Sequence, residues 1–364
     1  MRSDLPYFKN ALYTSLLDAH RHLYKVLQSH GLGDRTHLSV DVVNKEGRVE
    51  VSSVATELSN ARAVVASIQN AVPPLEPGDV VVTNDPYSGS QHLQDHWIVA
   101  PVAKGTAAGG YISVHAHLAD VGGRNLGNLY PGARDIWQEG VRTTPVRLFR
   151  KGELDRDVLE LIKLNSRMPL VMENDLREMA TTASELASQV GASDPSLLAD
   201  LRSQSKGVFA RPFDGAEGRT TTKRGTIHSC QGSDATVVLE TRVENGALVV
   251  DLTGSSDQAE PGFFNSTIAN TQSFLADVLA NRLSGVFSSD VLEALDVRAA
   301  EASVLNCSFP LPVGWSPYGP RKVVTSLFQS ALRELGIGED YQVFESDWRP
   351  PVHIEGCRET ECPF

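Results

Sequence analysis

An α+β fold, with mixed sheets and packed helices, is predicted by three observations on the 364-residue chain. Hairpin signals stand in both halves, at "HLSVDVVNKEGRVEVSSVA" and "ATVVLETRVENGALVVDLTGS". Long stretches of helical periodicity lie among the strand signals, and no fixed-period repeat joins them into an array. The length exceeds what a hydrophobic core needs, so one large or two ordinary domains are expected.

From the N-terminus, "MRSDLPYFKNALYTSLLDAHRHLYKVL" places charges in every turn, which suits an amphipathic helix and not a signal peptide or membrane span. The first hairpin turns at "NKEG". A second helix covers "ELSNARAVVASIQNAV" and stops before Pro73 and Pro74, because proline cannot continue the ladder. Val80 to Thr83 form a buried β-branched strand ended by Asn84, Asp85 and Pro86. "HWIVAPVA" and "GGYISVHAHL" flank the glycine-rich "KGTAAGG" and pair as a hairpin. Period two then puts Tyr111, Ser113, His115 and His117 on one face and Ile112, Val114, Ala116 and Leu118 on the other. Taken alone, the histidine face reads as a solvated polar surface as readily as a functional one. A glycine-rich loop, "DVGGRNLGNLYPG", comes next.

In "ENDLREMATTASELASQVG" the residues Leu176, Met179, Ala180, Ala183, Ala187 and Val190 form a core stripe, with Gly191 as stop. Residues 207–223 show little periodicity, and the domain boundary is placed there, giving regions 1–206 and 207–364. Beyond it, Asn245-Gly246 is the favoured dipeptide of a tight type I′ hairpin. Helices over about 267–284 and 321–335 complete the second half.

The net charge of −12 opposes nucleic-acid binding, which relies on clustered Lys and Arg. Cys230, Cys307, Cys357 and Cys362 are too sparse for a disulfide framework, so a cytoplasmic setting is expected. Cys357 and Cys362 do not have the two-residue gap of zinc knuckles.

The chemistry gathers in "TNDPYSGSQHLQDHWIVAPV" and the strand after it. His92 and Asp95 are three residues apart, a spacing that reaches one ion from a turn or a helix face, and His117 follows on a nearby strand. Two imidazoles and a carboxylate leave positions open on a divalent metal, as catalytic sites require. This donor set suits zinc, manganese, iron or cobalt. His115 and Asp120 strengthen the cluster. No Gly-x-Ser-x-Gly elbow and no phosphate loop occur, and "GGRNLG" lacks the spacing of a dinucleotide fingerprint.

The blocks "GD…NDPY.G..HL.D", "H..DVGG" and "QEG.R..PV.L" resemble the hydantoinase B/oxoprolinase family, strongest over residues 78–168 and traceable over about 35–310. These are metal-bearing subunits of ATP-dependent lactam and hydantoin hydrolases and of acetone-type carboxylases. The resemblance implies a divalent metal on His92, Asp95 and His117. The family's fourth ligand is an aspartate ten residues before the glycine of the Asp/Glu-Gly turn; counting back from Gly47 reaches His37. Either His37 takes over, or Asp34 or Asp41 moves in. Leu118 stands where relatives commonly carry a second histidine.

Three further residues are candidate catalytic groups. Asp120 would orient an imidazole or act as general base, and Glu139 and Arg142 would line the substrate pocket or pair with each other. Asn84 and Asp85 either fix the metal loop or simply form a turn. Larger family members extend well past this chain and end in a glycine-rich segment that "YQVFESDWRPPVHIEGCRETECPF" does not match, so either part of the pocket is expected from another subunit or the activity has changed.

The function implied is metal-dependent hydrolysis of a cyclic amide of hydantoin, lactam or oxoproline type. A hydantoinase A-like partner binds ATP and activates the amide, in a cytoplasmic hetero-oligomer without nucleic acid or membrane. Alternatives are a carboxylase subunit of acetone-carboxylase type, a non-catalytic scaffold subunit and a stand-alone metallohydrolase.

Overall fold

In the computed structural model, the residues described are 5–31, 37–54, 57–102, 109–192, 213–229, 233–262, 264–283 and 288–338. Helix α1 (Leu5–Val26) leads to the hairpin of β1 (Leu38–Asn44) and β2 (Val49–Ser52), and α2 (Leu58–Ala71) follows. Strand β3 (Val80–Thr83) precedes the hairpin of β4 (Asp95–Pro101) and β5 (Gly110–His117). After β6 (Val146–Arg150) and β7 (Glu153–Leu154) come α3 (Arg156–Lys163) and α4 (Pro169–Gly191). The second half has β8 (Thr220–Ile227), β9 (Ala235–Glu244), β10 (Ala247–Asp251), α5 (Ile268–Leu283), α6 (Asp290–Glu293), β11 (Leu295–Arg298) and α7 (Gly319–Leu335). Among the described residues no helix is long and apolar enough to cross a membrane.

The strands form a seven-stranded antiparallel sheet, ordered β2-β1-β5-β4-β3-β6-β7, and a four-stranded sheet, ordered β11-β10-β9-β8. The second sheet is mixed, because β11 runs parallel to β10. The β9–β10 turn uses Asn245 at φ 54° and Gly246 at φ 74°, the left-handed pair that a type I′ turn demands. The two sheets fall on either side of the boundary placed at 206/207, which itself lies outside the described residues, as do Cys230, Cys357 and Cys362.

Period two on the large sheet assigns its faces. Val40, Val42, Ile98, Ile112 and Val114 pack with Leu16 and Leu23 of α1 and Leu176, Met179 and Ala183 of α4 in one core. Val43, Val81 and Trp97 point the other way, into a second core with Val64 and Ile68 of α2, Val237 and Leu248 of the small sheet, Phe274 of α5 and Phe328 of α7. The polar face of β5 therefore lies inside the molecule: Ser113 and His115 are fully buried, so the solvated alternative does not hold. The cause is non-local, since the second half of the chain packs over it.

Several elements escaped the periodicity reading. β8 starts inside the stretch expected to be irregular, because "TTTKRGTI" exposes alternate polar residues and hides only a few positions. α3 and the short β6, β7 and β11 were not anticipated either. α4 and α7 begin earlier than expected, each with a proline in its first turn, where a missing N–H costs nothing.

Candidate metal centre

Strands β1, β5 and β4 are neighbours, and their registers bring three donors to one level. Asp95 pairs across β4–β5 with His117, whose backbone N–H donates to the His37 carbonyl at 3.0 Å, just before β1 begins. His92 sits in the turn entering β4, where its carbonyl accepts the Asp95 N–H at 3.1 Å. Asn84 fixes that turn from outside: its Nδ2 donates to Leu93 O at 2.7 Å and to Val141 O at 2.9 Å.

His37, His92, Asp95 and His117 thus each offer a donor atom within 4.8 Å of all the others. Asp95 Oδ2 lies 3.4 Å from His92 Nε2, and Asp95 Oδ1 lies 3.4 Å from His117 Nδ1 and 3.7 Å from His37 Nδ1. Donors about 2.1 Å from one ion at the tetrahedral angle would stand about 3.4 Å apart. His92 Nε2, His117 Nδ1 and both Asp95 oxygens are buried and have no hydrogen-bond partner. Buried lone pairs aimed at one another are costly unless a cation lies among them, so these residues fit a divalent ion. Three nitrogens and one oxygen form a borderline donor set.

Electrostatics agree with a neutral His92 beside a charged Asp95. Burial pushes His92 down to about 4. Burial also works to raise Asp95, but His92 and His115 together hold it well below the usual carboxylate range. The His92 tautomer follows from Gln94: its amide nitrogen donates to Gly127 O at 2.8 Å, so its Oε1 faces His92 Nδ1 and accepts from it. Nε2 is thereby left bare toward Asp95.

The remaining candidates lie elsewhere. Asp41 does not join the group; its Oδ2 accepts from Ser39 Oγ at 3.1 Å and Ser113 Oγ at 3.0 Å, and burial raises it to about 6. Asp34 is outside the described residues. Asp120 bonds Arg167 rather than an imidazole, accepting from its N–H and Nη1, each at 2.8 Å. Leu118 is buried in the α1/α4 core. Glu139 and Arg142 do not pair with each other. Arg142 donates to both Asp85 oxygens, at 2.7 and 2.8 Å, and stacks over Phe309 at 4.6 Å. Glu139 accepts the backbone N–H groups of Val313 at 3.0 Å and Gly314 at 2.8 Å.

These contacts converge on residues 307–318. Tyr87 donates to Leu311 O at 2.6 Å, and Ile136 N–H donates to Pro310 O at 2.8 Å. The segment so held carries Tyr318, whose ring stacks against His37 at 15° with centroids 6.4 Å apart and stands 6.4 Å from His92. Sequence reasoning missed Tyr318 and Gln94. Gln94 lies within the "TNDPYSGSQHLQDHWIVAPV" stretch, but its role depends on where its amide points. Tyr318 is distant in sequence and had no local signal.

A family model described as hydantoinase B/oxoprolinase matches residues 3–343. The 5-oxoprolinase PfmaA of Pestalotiopsis fici is 22% identical over 336 residues, which is 85% of this chain and 26% of that protein. The crystal structure of ATP-dependent caprolactamase from Pseudomonas jessenii superposes with a TM-score of 0.79 at 20% identity, over 91% of this chain and 60% of that one. The beta subunit of caprolactamase from that organism is 33% identical over 99 residues, 27% of this chain and 17% of the subunit. Nucleotide-free acetone carboxylase superposes with a TM-score of 0.74 at 14% identity, over 86% of this chain and 45% of that one. The chain spans less than half the length of the curated relatives it matches.

Proposed function

The chain belongs to the hydantoinase B/oxoprolinase family, and from that premise we propose that it is the metal-dependent subunit of a two-component cyclic-amide hydrolase. The reading is carried by one observation: four donor atoms lie within 4.8 Å of one another, and those of His92, Asp95 and His117 are buried without hydrogen bonds. His37, His92, Asp95 and His117 would hold a divalent zinc, manganese, iron or cobalt ion. Such an ion, when bound, supplies Lewis acidity and activates water near neutral pH.

The protein's own residues then set the stage. Gln94 keeps the His92 proton on Nδ1, so that Nε2 stays a donor. Tyr318 covers the imidazoles and limits bulk water. Glu139 and Arg142 take holding tasks in place of catalytic ones, the first through the backbone of Val313 and Gly314 and the second through Asp85. Asp120, bonded to Arg167, holds the loop that follows β5. The substrate class is a hydantoin, lactam or oxoproline-type ring whose amide is activated with ATP by a hydantoinase A-like partner, in a cytoplasmic hetero-oligomer. A carboxylase role is the second reading, favoured by the structural likeness to acetone carboxylase.

The test is elemental analysis of the purified chain, followed by assay of ring opening with the partner subunit, with and without ATP. The hydrolase reading expects about one divalent ion per chain and ring opening that needs ATP and the partner. A metal-free chain whose addition leaves ring opening unchanged would overturn it. Carbonate-dependent consumption of a ketone would favour the carboxylase.

A further inference from the structure

We propose that His115 is a positioning residue for this centre, gripping the Asp95 carboxylate from outside the four-donor group; the inference rests on the metal reading above. His115 is fully buried, and its Nε2 stands 3.3 Å from Asp95 Oδ1. It is nevertheless absent from the set of mutually close donors, which comprises His37, His92, Asp95 and His117 alone. Neither ring nitrogen has another hydrogen-bond partner. A buried imidazole with no other hydrogen bond needs a reason to be there; Asp95 is the carboxylate within ion-pair reach of it, while Asp41, bonded to Ser39 and Ser113, interacts with it only electrostatically.

The ring is also held in place. Across β4–β5, His115 lies opposite Trp97, and the two rings stack with centroids 4.6 Å apart and an angle of 20°. Trp97 is itself fully buried, so the imidazole has little freedom to swing toward the ion. Its N–H can approach Asp95 after a small turn of the carboxylate. A carboxylate can bind an ion through one oxygen or both; a donor on Oδ1 leaves fewer lone pairs for the ion and restricts its choice. Gln94 orients His92 and His115 steadies Asp95, so two adjacent ligands each have an outer partner.

The experiment is cobalt(II) and zinc(II) titration of the full-length chain, wild type against His115→Phe and His115→Gln. Phenylalanine keeps the flat ring on Trp97 and removes the donor, whereas glutamine keeps an N–H at similar reach. We expect His115→Phe to weaken metal binding about 10- to 100-fold and shift the visible cobalt bands, with His115→Gln close to wild type. Equal affinity and spectra in wild type and His115→Phe would overturn the inference. So would equal weakening in both variants, since that would mark a packing role.

If either variant fails to fold, 15N-histidine NMR of the zinc-loaded wild type gives the answer. His115 protonated at Nε2 and free of metal supports the proposal, and metal on His115 or a bare Nε2 refutes it. A wild-type chain that takes up no metal refutes the metal reading and this inference together. A metal-binding wild type with an indifferent His115→Phe refutes this inference alone.

Discussion

His117 serves two surfaces at once. Its ring faces the donor group, while its β5 neighbours Ile112, Val114 and Ala116 face the α1/α4 core. His117→Ala should therefore strip most of the metal, read by elemental analysis, and leave the circular dichroism spectrum near wild type. Full metal content in that variant would contradict the assignment. His37→Ala bears on the fourth position: loss of affinity is expected, and unchanged zinc affinity would show that another group fills it. Glu139 offers a titration. Burial raises it to about 8, although the Val313 and Gly314 N–H groups pull it down. A carboxyl with its folded pKa above the unfolded value of about 4.3 favours folding at low pH, and that contribution is lost as pH rises toward about 8. Glu139→Gln should remove this component, so the fall in Tm between pH 5 and pH 8 should be shallower than in wild type; identical slopes would count against it. At this scale the sequence was informative where chemistry is local. His92, Asp95 and His117 stood out as a candidate group from a turn and a strand, whereas His37 entered only through the family resemblance, beside Asp34 and Asp41 as alternatives. The tasks of Glu139, Arg142 and Asp120 could not be read, because their partners lie far away in sequence and include bare backbone N–H groups.

The elements show the same division. The three hairpins read from the sequence, the buried β3 strand and the long helices announced themselves through period and turn chemistry, as at Asn245-Gly246. β8 and β11 did not, because each is half polar and is completed as a strand only by its neighbours β9 and β10. The two-faced β5 strand permits a test at this level. Ile112→Ala opens a cavity in the α1/α4 core and should cost about 2–5 kcal/mol in denaturant unfolding, while the folded protein keeps wild-type metal stoichiometry. Loss of metal from folded Ile112→Ala would show that the two faces are not independent. Gly314 probes the covering segment: an added Cβ there would stand 2.6 Å from Glu139 Oε1. Gly314→Ala should displace that segment and speed zinc release to a chelator.

On the scale of the whole molecule, the large sheet has α1 and α4 on one face and α2 with the second half of the chain on the other, with the donor group on the latter. Any ligand that binds only the folded chain stabilises it, by about 2.7 kcal/mol at one hundred times its dissociation constant. Chelation should therefore lower the Tm of wild type and leave His117→Ala unmoved, a comparison made by calorimetry. An identical response in both would place the ion elsewhere. That arrangement, a buried polar face, was the least legible feature, because nothing within β5 indicates what will pack on it.

The clamped segment ending at Tyr318 also sets an order of events during synthesis. Every donor has left the ribosome by the time His117 emerges, long before the chain that roofs them exists. A nascent polypeptide therefore completes its donor set before its cover, and the segment ending at Tyr318 is the last part of the site to be made.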